Sequence, residues 1–414
     1  MGVLMKNLYS FFLCFGLILI GGSAAAQDKV LKIYHDADYT KHTESAHAME
    51  MGFKTALDEI GNKIQGYKIE FVPKDHRGNA VRSKLHMDQF LEDPQALFIL
   101  GGLHSPPYIK YKDFINESGI LLMVPWAAGG PITRYNKGTN WVFRLSVDDT
   151  KAGYRIAEYA QNDLGCKNPH LLLEETPWGQ SNKKTMTKAL EKNGSPQVTW
   201  FGWNTKENTA KIMLRDIVLS GSDCILFVGN AVEGAEFSRA MLSLEEKERL
   251  PIISHWGITG GDFHEVISPE MREGLGLHFI QSCFSFVSSP QTELSNSVFA
   301  RAQKLYPDQI KKAEDIPAPP GFIHAYDLGH ITLAALGQIK LTGDVKVDRT
   351  ALRTALESLN APVEGLIKTY KAPFSPWTSD HDDAHEALGL DDFCMAQYGP
   401  ENQVFVKANM KGNP

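Results

Sequence analysis

Apolar positions along this chain fall into two alternating rhythms. Val30 to Tyr34 predicts a first strand, which ends in a polar stretch rich in His, Asp and Thr. From Ala46 the apolar residues Met49, Phe53, Ala56, Leu57 and Ile60 recur at helical spacing. Tyr67, Ile69 and Phe71 alternate as strand residues do, and Val81, Leu85, Met87 and Phe90 fit one broad face of a helix over 80–91. Ala96 to Leu100 and Ile120 to Val124 are short unbroken apolar runs, the pattern of strands covered on both faces.

The same grammar restarts near Asp148. A helix over 150–162 leads to a strand at His170 to Leu173, and a polar helix over 180–192 leads to a strand at Gln197 to Phe201. After a further helix come a strand at Cys224 to Val228, a helix over 233–244 and a short strand at Pro251 to Ser254. Two successive βα arrays imply parallel sheets covered by helices. The last third differs: helices are predicted over 324–339 and 349–359, then a turn-rich, aromatic tail with strands near 393–397 and 404–407. That tail is too short for a third domain and is expected to complete the two lobes.

The N-terminus stands apart from this pattern. Lys6 supplies a positive charge, Leu8 to Ile20 is an apolar run, and Ala24-Ala25-Ala26 precedes Gln27. These are the parts of a secretion signal, and the run is shorter than the roughly 20 residues a bilayer span needs. Cleavage before Gln27 is expected, with 1–26 as signal peptide, a periplasmic mature protein and no direct membrane insertion. What remains is long enough for two lobes at about 100–200 residues per domain.

The formal charge of −7 is spread along the chain, with no basic block, which argues against nucleic acid as a partner. Beyond the leader, Cys166, Cys224, Cys283 and Cys394 are widely spaced. Export permits disulfides, but no framework emerges and any pairing stays open. Cys224 lies inside an apolar run and reads as a small buried hydrophobe.

Ligands of open parallel sheets bind beyond the carboxyl ends of the strands. Here those ends lead into Gly101-Gly102-Leu103-His104-Ser105, Pro125-Trp126-Ala127-Ala128-Gly129-Gly130, Glu174-Glu175-Thr176-Pro177-Trp178-Gly179, Gly229-Asn230-Ala231-Val232-Glu233 and His255-Trp256-Gly257. Small residues expose backbone N–H groups, and the tryptophans offer rigid faces to an apolar or aromatic body. Turn-making Gly and Pro with packing Trp explain any one loop as well. Five such loops at equivalent strand ends point to a small-molecule pocket.

In its order of motifs the chain resembles the type I periplasmic solute-binding proteins of ABC importers, in the branch related to leucine/isoleucine/valine-binding proteins. The resemblance runs from about Val30 to Val406. It rests on the loop from Gly101 to Ser105, the stretch from Glu117 to Ala128, and Phe143-Arg144 followed by Asp149 and Gly153. Trp178-Gly179 and the tail pairs Phe374-Ser375, Asp380-His381 and Asp391-Asp392 complete it. It implies two doubly wound α/β lobes joined by three crossing segments, near Arg144–Asp148, Phe279–Ser282 and Asn360–Val363. The first lobe would be 27–145 plus 281–362, the second 146–280 plus 363–414.

The resemblance also implies a small-molecule solute and an inner-membrane ABC permease as partners, a monomer, no cofactor and no catalysis. His104, Ser105, Trp126 and the backbone at Ala127 and Ala128 would face the solute from the first lobe, with Ser105 and that backbone on its carboxylate. Trp178, Asn230, Glu233 and Trp256 would face it from the second. Amino-acid binders of this family carry a threonine where Ala128 stands and a carboxylate where Trp256 stands, both for the solute's ammonium. An ammonium buried unpaired costs several kcal/mol. The expected cargo is therefore a carboxylate, an aromatic acid or an amide, before a common amino acid.

Two other readings compete. His255, His264 and His278 with Asp262, or His381 with His385, suggest a metal set, yet none has the H-E-x-x-H arrangement, and no nucleophile elbow or Walker loop is present. No metal site is expected. A sensor that reports its bound state to a receptor or kinase would share the whole pattern, because closure exposes a partner surface either way.

Overall fold

The structure, a computed structural model, describes residues 29–191, 194–400 and 403–407. The expected signal peptide lies outside the described residues. The first array runs β1 (Lys29–Ala37), α1 (Thr43–Asp58), β2 (Lys63–Ile64), β3 (Tyr67–Asp75), α2 (Ala80–Glu92), β4 (Ala96–Gly101), α3 (Pro106–Lys110), α4 (Lys112–Glu117), β5 (Leu122–Val124) and β6 (Val142–Arg144). Its six strands are ordered β2-β3-β1-β4-β5-β6, parallel except for the β2–β3 hairpin. β4 and β5 are buried along their whole length, as unbroken apolar runs require.

The second array comprises α5 (Asp149–Asn162), β7 (Pro169–Glu174), α6 (Pro177–Leu190), β8 (Gln197–Phe201), α7 (Glu207–Leu219), β9 (Cys224–Val228), α8 (Ala231–Leu242), β10 (Ile252–Ser254), α9 (Phe263–Val266), α10 (Pro269–Glu273) and β11 (Leu277–Ser282). The chain then returns to the first lobe with α11 (Glu293–Leu305), α12 (Pro319–Gly337), α13 (Val345–Leu356) and the hairpin β12 (Val363–Glu364) and β13 (Thr369–Tyr370). It ends in β14 (Phe393–Tyr398), which pairs antiparallel with β11, and β15 (Val404–Val406), which pairs antiparallel with β14. The second sheet is ordered β15-β14-β11-β10-β9-β7-β8. α12, apolar around most of its circumference, packs on α1, where an ideal Cβ on Gly52 would lie only 2.1 Å from the Phe322 carbonyl oxygen.

Three segments cross between the lobes, and two fall later than expected. The first is at Arg144–Asp148. Phe279–Ser282 is itself part of β11, so the second crossing begins at Cys283. The third is near 388–392, well beyond Asn360–Val363. Residues 363–388 stay with the first lobe because Asp327 of α12 accepts the Leu366 and Ile367 amides at 2.6 and 3.1 Å and the Tyr370 hydroxyl at 2.7 Å. His385 then stacks on Phe143 at 3.9 Å, and Arg144 binds Glu386 through both carboxylate oxygens, at 2.6 and 2.8 Å. The second lobe therefore gains only the final two strands.

Both cysteine pairs are bonded: Cys166 with Cys224, and Cys283 with Cys394. Cys224 is buried as predicted, but as half of a disulfide joining the end of the first second-lobe helix to β9. Cys283–Cys394 ties the second crossing to β14, beside the third.

Candidate functional site

The carboxyl ends of β4 and β5 face those of β7, β9 and β10 across the gap between the lobes. Between them lies a narrow cavity. It is lined by His104, Ser105, Trp126 and Ala128 from the first lobe and by Trp178, Asn230 and Trp256 from the second. Seven of the nine residues singled out from sequence thus converge. Ala127 does not: it is fully buried among first-lobe side chains, and its carbonyl accepts from Arg144. Glu233 lines an adjoining cavity together with Asp38, His42, His104, Trp203 and Asn230.

Local chemistry fixes each wall. Thr176 caps the start of α6, accepting from the Gly179 amide at 3.3 Å, and presents Trp178 in the first helical turn. The Trp178 indole N–H donates to Asp149 Oδ1 at 3.3 Å, and His255 Nε2 lies 3.0 Å from the same oxygen. Glycine is required at 257, where a Cβ would sit 2.7 Å from the Gly229 carbonyl oxygen and 2.9 Å from the Trp178 ring. Trp126 and Trp256, both fully buried, meet across the gap with ring centroids 5.5 Å apart. Leu103 of the first lobe reaches Gly260 of the second, whose added Cβ would lie 2.3 Å from its methyl carbon, so the lobes are closed on one another.

The polar groups of the main cavity are few. Ser105 Oγ accepts from the Gly129 amide at 3.0 Å, which leaves its own proton free to donate inward. Burial pushes the His104 imidazole down to about 3, so it is neutral. The Trp126 indole nitrogen is buried with no hydrogen-bond partner. Glu174, at the end of β7, also lines the cavity and is 1% exposed. Burial pushes its carboxyl up to about 7, assisted by the nearby Glu233, and Asn230 Nδ2 donates to it at 3.2 Å. Among the described residues, no lysine or arginine lines this cavity.

Glu174, Asp38, His42 and Trp203 are the residues that sequence reasoning passed over. Glu174 stands in a strand-end loop already singled out, and Asp38 and His42 in the polar stretch after β1. The rule that strand ends carry the site was sufficient to find them. The histidines weighed as a metal set separate: His255 faces Asp149, His278 meets Tyr159 at 2.9 Å, and His385 meets Glu357 at 3.0 Å.

Two parallel-sheet lobes, three crossings and a closed cavity at the strand ends define a cleft-type binding protein. The chain belongs to the periplasmic binding protein family, whose model matches residues 41–387. Within it the chain falls in the type I branch related to branched-chain amino-acid binding, a family of non-enzymatic solute-binding proteins. The Leu/Ile/Val-binding protein homolog 3 of Brucella melitensis is 21% identical over 195 residues, 47% of this chain and 52% of that protein. The alignment thus spans about half of that relative's length. Among solved structures, a type 1 periplasmic binding protein from Bordetella pertussis superposes with TM-score 0.76 at 18% identity, covering 92% of this chain and 100% of that one. An ABC transporter solute-binding protein from R. palustris in complex with 4-hydroxybenzoate superposes with TM-score 0.71 at 16% identity, covering 92% and 96%. Among the described residues, no helix is long and apolar enough to cross a membrane.

Proposed function

We propose that the chain is the solute-capturing component of an ABC importer, exported to the periplasm by its first 26 residues and delivering cargo to an inner-membrane permease. Its cargo is a small amide with an aromatic or apolar body, held in the cavity between Trp126, Trp178 and Trp256. The observation that carries this reading is the unpartnered N–H of Trp126, a residue that lines the cavity, with no lysine or arginine among the described residues of that lining. A buried donor left unpaired costs about 1–3 kcal/mol, which a solute carbonyl would recover. The Ser105 hydroxyl can share that carbonyl, while Glu174 accepts from the solute's N–H. A neutral amide satisfies both sides without bringing an unpaired charge into the cleft. An anionic acid would face Glu174 with no cation to offset it. The R. palustris protein of similar fold holds 4-hydroxybenzoate, which supports an aromatic body for the cargo.

A thermal-shift panel of the mature chain tests the proposal. Aromatic and aliphatic amides, benzoates and branched-chain amino acids are each supplied in excess, where about 100 times Kd adds about 2.7 kcal/mol of stability. The largest shift is expected from an aromatic amide. A larger shift with leucine would overturn the cargo reading and assign Glu174 as the ammonium's counter-ion.

A further inference from the structure

Beside the main cavity, and sharing His104 with it, is a cluster whose Asp38 and His42 lie outside the solute cavity. Asp38 follows β1, His42 stands at the start of α1, and His104 follows β4, so three separate stretches of the first lobe converge. All three are more than nine-tenths buried, at 2%, 6% and 5% exposure. One oxygen, Asp38 Oδ2, lies 3.2 Å from His42 Nδ1 and 3.3 Å from His104 Nε2, and one ligand atom from each residue falls within 4.8 Å of the others.

These distances lie at the long end of the hydrogen-bond range of about 2.7–3.2 Å, and they also fit ligation of a shared ion. Hydrogen bonds from an imidazole N–H to a carboxylate run about 2.7–2.9 Å when charge assists them. The His86–Asp36 pair of this same protein, at 2.6 Å, shows what a tight one looks like here. At Asp38 both contacts are longer. They match the edge of a tetrahedron around an ion with ligand bonds of about 2.0–2.1 Å, which is about 3.3 Å. We propose that Asp38, His42 and His104 hold one divalent transition-metal ion of the zinc class at the rim of the interlobe cavity.

The surroundings suit such an ion. Asp38 Oδ1 accepts the Thr40 and Lys41 amides at 3.0 and 2.9 Å, so the carboxylate is held with Oδ2 toward the two rings. An outer shell of this kind orients a ligand before the metal arrives. The nearby cations are engaged elsewhere: Arg77 Nε pairs with Asp75 at 3.1 Å, and Lys41 Nζ reaches Asn204 at 3.4 Å. The far nitrogen of His42 has no partner that imposes a tautomer. Two nitrogens and one carboxylate oxygen form a borderline donor set, favouring zinc-class ions over calcium or magnesium. Three protein ligands leave a fourth position for water or a donor from the cavity, whose opposite wall carries Trp203, Asn230 and Glu233. The site does not depend on the identity of the solute.

The test is cobalt loading of the metal-free mature chain, followed by desalting, elemental analysis and visible spectroscopy. One cobalt ion per chain is expected, with the intense d–d band of a four-coordinate site. His42→Ala and His104→Ala lose the ion and the band. Asp38→Asn loses them too, and it keeps the Oδ1 hydrogen bonds that shape the turn, so its fold is preserved. His264→Ala, which alters the separate Glu44–His264–Glu265 group, leaves both unchanged. A wild-type chain that retains no cobalt overturns the assignment, as does a folded Asp38→Asn or His104→Ala variant that retains it undiminished.

Discussion

Glu174→Gln isolates the electrostatic cost of the empty cavity. The Glu174 carboxyl is 1% exposed and faces Glu233, with only Asn230 and neighbouring polar groups in support, and burial pushes it from 4.5 up to about 7. An acid whose folded-state value is raised binds more protons folded than unfolded between those two values. Folding stability therefore falls as pH rises through that window, and it is greatest below it. Each unit of difference is worth about 1.4 kcal/mol, so the linked loss between about pH 5 and about pH 8 is about 2–3 kcal/mol. Glutamine keeps the shape and the hydrogen bonding to Asn230 but cannot ionise. Urea unfolding of both proteins at the two pH values, without solute, reads the effect directly. The stability gap should move by about 2–3 kcal/mol in favour of the variant as pH is raised. Other buried acids, such as Asp327, titrate in both proteins and cancel in the comparison. A gap that does not change with pH would refute the placement of Glu174 in a desolvated, cation-free wall.

The remaining predictions concern the frame and the site. Glu386→Gln removes the bidentate partner of the fully buried Arg144, while Asp148 still pairs with that arginine at 2.9 Å. The loss should be about 3 kcal/mol in urea unfolding. Gly52→Ala drives a Cβ against the Phe322 backbone at 2.1 Å and should cost about 1–3 kcal/mol by forcing α1 from α12. Gly321→Ala places a Cβ 2.6 Å from the Trp126 ring. It should weaken solute binding more than it lowers the melting temperature, read by calorimetric titration beside thermal unfolding.

Much of the frame is legible without coordinates because the buried strands of a parallel sheet are unbroken apolar runs. Ala96–Leu100 and Cys224–Val228 mark β4 and β9 almost to the residue. β6 and β11 escaped because they coincide with crossing motifs, so Phe143-Arg144 and Phe279–Ser282 read as connections. The tail was misassigned for a different reason. Its anchor is Asp327, a single carboxylate inside an otherwise apolar helix, and nothing local to 363–370 reveals that partner. In the site, the loop positions followed from topology, whereas the roles of individual side chains did not. Glu174 looks like any polar strand-end residue until its burial is known. Ala127 carries the same small-residue signature as Ala128 yet points into the first-lobe core. The convergence of Asp38, His42 and His104 depends on the β1–β4 pairing, which brings together residues more than sixty positions apart.

Capture of a small solute between the three indoles is tested most directly by titrating the tryptophan fluorescence of the mature chain with 4-hydroxybenzamide. The same titration of a Ser105→Ala, Trp178→Ala variant, shown to be folded by circular dichroism, supplies the comparison. The wild type should give a saturable one-to-one change that the variant loses. No change in the wild type, or a change that survives both substitutions, would contradict the account.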